Sequence, residues 1–136
     1  MILQLAIGTF VIAVTAAIHA EMFALLWRRF DWLTGLLRPR LRRFANTGVI
    51  MAAMLYVMLT LTIEVWVWAI VLIIIGEAKG LEPAVYFSVV CFTTLGFGDI
   101  TLAPEWRLLS GLIGANGFLM FGWSTAFAVE LVRRTS

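Results

Sequence analysis

Three apolar runs dictate what this chain can become: Ile2 to Trp27, Val49 to Ile75 and Leu108 to Leu131. Each is long enough to cross a bilayer as a helix, which takes about 20 residues. Only 13% of the 136 residues are charged, against roughly 25% in a soluble domain. A water-facing shell cannot be assembled from so few charges. The sequence therefore reads as one all-α membrane protein.

The charges that remain give it a direction. No basic leader precedes the first run. Arg28, Arg29, Arg38, Arg40, Arg42 and Arg43 follow it instead, the reverse of a cleaved signal peptide, so the helix is expected to be retained. Arg133 and Arg134 close the third run. Eight of the ten basic residues then share one side, with only Lys79 and Arg107 opposite. By the positive-inside rule the N-terminus lies outside and the C-terminus in the cytoplasm of a cell membrane, plasma or bacterial inner. The expected division is an N-terminal transmembrane helix over 1–28, an interfacial Arg-rich connector over 29–46 and a second unit over 47–136, with helices over 49–75 and 107–132. In the connector Trp32, Leu33, Leu36, Leu37, Leu41 and Phe44 fall within about half of a helical wheel, and Pro39 is expected to break or kink it. Arg38, Arg40, Arg42 and Arg43 either fix topology or also bind anionic lipid headgroups. Trp66 and Trp68 lie in the outer half of the second run, where indoles favour the headgroup boundary.

Between the second and third runs, over 82–103, the pattern changes. Glu82-Pro83 is a helix-start signal, and Ala84 to Thr94 is too short to span. A re-entrant helix with an extended return fits. That return is Thr93-Thr94-Leu95-Gly96-Phe97-Gly98-Asp99, polar and glycine-rich in an otherwise oily chain. Irregular backbone at membrane depth is tolerated only where protein buries it or where it lines a water-filled path. A strand can point successive carbonyls to one side if alternate residues take left-handed geometry, which glycine adopts without steric cost, as at Gly96 and Gly98. Four such strands around an axis replace the water of a cation with stacked oxygen rings. The Thr94 hydroxyl adds one more ring, while Leu95 and Phe97 are expected to point away and brace the strand from behind. One chain carries one such loop, so function on this basis requires a homotetramer.

The segment Ser88-Val89-Val90-Cys91-Phe92-Thr93-Thr94-Leu95-Gly96-Phe97-Gly98-Asp99 resembles the pore-helix and selectivity-filter segment of potassium channels, and the likeness extends over Tyr86 to Thr125. It implies three transmembrane helices plus a re-entrant pore helix and filter loop in a fourfold tetramer, giving passive K+ transport. The implied K+ sites are the backbone carbonyls of Thr94, Leu95, Gly96 and Phe97 and the Thr94 hydroxyl, with Gly98 completing the filter. Leu95 for valine and Phe97 for tyrosine are departures also seen in two-pore-domain channels. Thr93, Asp99, Tyr86 and Val90 take filter-supporting positions. Val90 stands where some bacterial relatives carry a glutamate that pairs with the aspartate, and Tyr86 matches a position whose aromatic donor can reach Asp99. Gly117 aligns with the inner-helix gating glycine, while Phe118, Phe121 and Thr125 match cavity-lining positions. Gly111, Gly114 and Gly117 recur every three residues, so close helix packing is an equal reading of Gly117.

Buried polar groups inside the runs stand apart. Glu64 and Asn116 come out at about the same depth, which predicts a Glu64–Asn116 hydrogen bond tying outer to inner helix. His19 reads as an interhelical hydrogen-bonding group; Glu21, two residues on, faces elsewhere. Glu130 has ion-pair spacing to Arg134. The lone Cys91 reads as a small hydrophobe. There is no nucleophile–base set, metal motif or phosphate loop, so no enzyme and no cofactor are expected beyond transported K+, and no nucleic-acid role. A weakly selective monovalent cation channel and a non-conducting regulatory or scaffold subunit are the rival readings.

Overall fold

The computed structural model describes residues 1–37 and 45–135. Four helices account for it: α1 (Ile2–Leu37), α2 (Ala45–Ile74), α3 (Leu81–Phe92) and α4 (Leu108–Thr135), with no strand among the described residues. Three of them carry stretches long and apolar enough to cross a membrane, Ile2–Arg29, Thr47–Ile74 and Leu108–Arg134. α3 is the short apolar one.

The membrane-length stretch of α1 ends at Arg29, and the helix itself continues unbroken to Leu37. No proline interrupts it before Pro39, and charge alone does not break a helix. Pro39 itself, together with Arg38, Arg40, Arg42 and Arg43 and the lipid contacts expected of them, lies outside the described residues. α2 ends at Ile74, and the chain turns over with Gly76 and Gly80 both at positive φ. These are backbone conformations that side chains with a Cβ resist. α3 then starts at Leu81 with Glu82 in its first turn, where a carboxylate complements the helix dipole.

α1 packs on α2 and α4, while α3 packs on the same two helices. The core between them holds Trp68, Leu72, Phe87, Phe92, Leu109 and Ile113. A smaller cluster of Leu26, Val49, Ala53 and Leu131 closes the opposite end. Trp68 corrects an expectation: it is fully buried in the core instead of sitting at the headgroup boundary, whereas Trp66 is exposed. Two residues apart on a helix, the two indoles cannot share a face.

The seam between α1 and α4 is tied along its whole length. At the loop end Gln4 Nε2 donates to the Glu105 carbonyl, and Leu108 N donates to Gln4 Oε1 at 3.1 Å. An α1 side chain thus satisfies one of the orphan N–H groups that open α4. Deeper, Asn116 Nδ2 donates to Thr15 Oγ1 at 2.8 Å, and Ser124 Oγ lies 3.4 Å from His19 Nε2. Phe23 stacks on Phe127 at 4.2 Å, and the Arg134 guanidinium sits 3.7 Å over the Trp27 ring. Arg134 also reaches Glu130 at 3.5 Å, the expected spacing of four.

Candidate functional site

The extended segment after α3, called the strand below although it pairs with no other, is built by how α3 ends. Thr93 follows Phe92 as the last helix-like residue, and Thr94 then takes φ 61. A β-branched residue in the left-handed region is an outlier that persists only where surrounding structure holds it. Hydrogen bonds hold it here. Thr94 N donates to the Cys91 carbonyl at 2.9 Å and Gly96 N to the Val90 carbonyl at 3.2 Å. Thr93 gives both its N–H and its hydroxyl to the Val89 carbonyl, at 2.9 and 2.7 Å. The last carbonyls of α3 are thereby satisfied in the manner of a left-handed helix cap.

From that cap the backbone alternates. Thr94, Gly96 and Gly98 have φ 61, 59 and 76, and Leu95 and Phe97 between them do not enter the left-handed region. Glycine covers two of the three strained positions at no steric cost. The third, Thr94, keeps a hydroxyl at the start of the strand.

Leu95 and Phe97 differ from expectation. They do not brace the strand from behind within their own chain, being 60% and 66% exposed. Behind the strand lies a cavity of about 370 Å³, bordered by Tyr86, Phe87, Val90, Gly96, Gly98 and Asp99. Neither side chain borders that cavity, which stays open in the single chain.

Two contacts fix the far end of the strand. The Tyr86 hydroxyl donates to Asp99 Oδ2 at 2.6 Å. That hydrogen bond holds the Asp99 carboxyl below the usual aspartate range, and the carboxylate in turn pushes the Tyr86 hydroxyl up. Ala103 N donates to Glu77 Oε2 at 2.8 Å, tying the descending loop to the turn after α2. Val90 is buried beside the cavity and carries no polar group toward Asp99.

α4 meets α3 where the strand starts. A Cβ on Gly117 would come 1.8 Å from the Phe92 carbonyl oxygen, and one on Gly114 would come 3.3 Å from that of Cys91. Gly111 faces open space. Of the two readings of Gly117, the structure displays close packing. Phe118 is 73% exposed on the face turned away, Phe121 meets Phe92 edge-on at 5.8 Å, and Thr125 Oγ1 donates to the Phe121 carbonyl at 2.8 Å. Cys91 is free and half-buried.

The polar residues of the spans pair differently from expectation. There is no Glu64–Asn116 bond. Glu64 Oε1 meets His19 Nδ1 at 2.6 Å with both side chains fully buried, and Asn116 is taken by Thr15. The reason is α1, which lies against both α2 and α4 and presents two polar residues between them. Thr15 and His19 are four apart and so share one helix face; that spacing was the signal available in the sequence. Glu64 Oε2 and Asn116 Oδ1 each keep a lone pair without a partner among the described residues. Gln4, Glu77 and Ser124 carry contacts that sequence reasoning passed over, and only Gln4, a polar residue early in an apolar run, gave any hint.

A family model described as an ion channel matches residues 58–134, more than half of the chain, from mid-α2 through the strand to the end of α4. No curated protein and no solved structure matches.

Proposed function

The chain belongs to this ion-channel family, and from that premise we propose that it is the subunit of a potassium-selective channel, four copies surrounding one conduction path. The observation that carries the reading is the left-handed alternation at Thr94, Gly96 and Gly98. In the proposed pore such an alternation would turn the carbonyls of Thr94, Leu95, Gly96 and Phe97 to one side as a ladder of ligands, with the Thr94 hydroxyl below them. Fourfold repetition converts each rung into a ring that substitutes for hydration water around K+.

The lone chain also supports assembly. Leu95 and Phe97 are apolar and exposed, and the cavity behind the strand lacks a filler from its own chain. Neighbouring subunits placed around the strand would cover both. In this arrangement Phe118, Phe121 and Thr125 face the inner cavity. Tyr86, Asp99, Thr93 and Val90 support the filter. The Gln4 contacts bring the N-terminus to the filter end, which agrees with an N-terminus outside and the arginine-rich ends in the cytoplasm. Anionic lipid at Arg38, Arg40, Arg42 and Arg43 completes the proposal.

Purified protein reconstituted in planar bilayers tests it. Under bi-ionic conditions the reversal potential is expected near that of a K+-selective pore. Equal K+ and Na+ permeability would establish the weakly selective alternative, and absence of flux without a partner would favour the non-conducting subunit.

A further inference from the structure

The matched family segment begins inside α2 and leaves α1 out, yet α1 holds α4 at several depths. One of those contacts is unlike the rest. Within the helices Thr60, Thr62 and Thr125 each donate to the carbonyl one turn back, at 3.0, 2.7 and 2.8 Å, and Thr93, just past the end of α3, does the same at 2.7 Å. Ser124 does not. Its hydroxyl lies across the seam, 3.4 Å from His19 Nε2.

His19 is held in place for that contact. Its Nδ1 lies 2.6 Å from Glu64 Oε1 of α2, both groups fully buried, and its ring is flanked by Phe23 at 4.2 Å and Trp123 at 5.1 Å. A ring that donates Nδ1–H to a carboxylate presents Nε2 as an acceptor. The carboxylate therefore sets which way the imidazole faces, and the imidazole offers the Ser124 hydroxyl a partner outside its own helix.

That hydroxyl lies near His19 across the seam, and a serine within a helix has the carbonyl four residues back, here that of Met120, as its alternative acceptor. The first ties α4 to α1. The second is the back-bonding arrangement that bends helices. The seam contact, at 3.4 Å, is near the long limit of a hydrogen bond, so a small displacement of α4 breaks it. Ser124 sits one turn below Met120 and beside Phe121, on the stretch of α4 that lines the inner cavity under the reading given above.

We propose that His19, oriented by Glu64, is a positioning residue for the conduction path, acting on α4 through Ser124 to hold it in one of two curvatures and so setting the open-to-closed ratio. The proposal rests on the channel reading. α1 is on this account a working part of the pore and not a peripheral anchor.

Single-channel recording of the full-length protein in planar bilayers tests it, with Ser124→Ala, Ser124→Thr and Glu64→Gln compared with wild type. Ser124→Ala removes one oxygen and keeps the packing. It is expected to shift the open-to-closed ratio roughly two- to tenfold, the range of one hydrogen bond, while unitary conductance and reversal potential stay at wild-type values. Ser124→Thr restores the hydroxyl and returns the ratio toward wild type, and Glu64→Gln moves it in the same direction as Ser124→Ala. A wild-type ratio in Ser124→Ala overturns the proposal, as does a shift that Ser124→Thr fails to reverse or one accompanied by altered conductance. Wild-type protein without current would instead refute the channel reading beneath it, which the Ser124 comparison alone cannot do.

Discussion

Gly117→Ala separates a hinge from a contact. The added Cβ would stand 1.8 Å from the Phe92 carbonyl oxygen, with the Phe92 carbonyl carbon at 2.7 Å and Cα at 3.0 Å. Ordinary contact begins at 3.4 Å, leaving an overlap of about 1.6 Å against backbone, which cannot swing aside as a side-chain tip can. α3 and α4 must therefore separate, or Phe92 must move, and Phe92 is two residues before the strained Thr94. Overpacking of this kind costs typically 1–3 kcal/mol and occasionally more; a backbone partner puts this site at the upper end. Alanine for glycine inside a helix returns about 1 kcal/mol of propensity. The net expectation is a loss of about 2 kcal/mol, read as a lowered unfolding midpoint in detergent, together with reduced ion flux because the start of the strand is displaced. If Gly117 acts chiefly as a hinge, alanine stiffens α4 and leaves stability equal or higher. Gly117→Ala protein as stable as wild type, with the same flux, would refute the contact argument. Gly111→Ala, with nothing within 4 Å in its own chain, is the companion measurement.

Further outcomes follow from other contacts. Tyr86→Phe removes the donor that depresses Asp99. Stabilisation from a depressed carboxylate is complete above the ordinary aspartate value and is lost as pH falls through the depressed one. In wild type the acid-induced loss of sustained current therefore sets in below the ordinary aspartate range, and in Tyr86→Phe it moves to higher pH; identical acid limbs would contradict this. His19→Leu leaves Glu64 buried without its partner, at a cost of roughly 3–5 kcal/mol, and the His19→Leu/Glu64→Leu double variant regains most of it in chemical unfolding. A single variant as stable as the double would show that the pair is not coupled. Gln4→Leu frees the Leu108 N–H and lowers stability by about 1 kcal/mol, as the loss of a helix cap does, measurable by thermal unfolding. Glu77→Ala releases Ala103 N and is expected to quicken current decay at the loop end.

The helices were legible because bilayer length and hydropathy leave few choices: about 20 apolar residues are needed, and three runs supply them. The short helix α3 was legible from Glu82-Pro83 and from the length of its apolar run. The alternation at Gly96 and Gly98 was legible because glycine is the residue that takes that geometry freely, whereas Thr94 was read only for its hydroxyl. Its left-handed backbone comes from the hydrogen bonds of the helix cap, which no residue type announces. The Glu64–Asn116 expectation failed because depth along two helices was considered without the third. Axial counting places residues at a height, but azimuth and packing decide which helix stands between them. Leu95 and Phe97 were expected to brace the strand from behind, and the single chain leaves that side open. What stands on that side is beyond the reach of one chain's sequence pattern.

The exposed strand has a consequence for how such a protein is made. In a lone subunit every residue from Thr94 to Gly98 is exposed; Thr94 N and Gly96 N bond back to α3, but lipid offers the remaining N–H and C=O groups nothing, at several kcal/mol for each group left unsatisfied. A newly inserted chain therefore cannot settle into this shape alone. In the proposed tetramer, ordering of the strand and arrival of its neighbours would be one event, each subunit supplying the others with the surroundings in which its own loop can exist. Synthesis would then deliver either complete pores or unfinished subunits with an unordered loop, and a single chain with a damaged strand would spoil every assembly it joined.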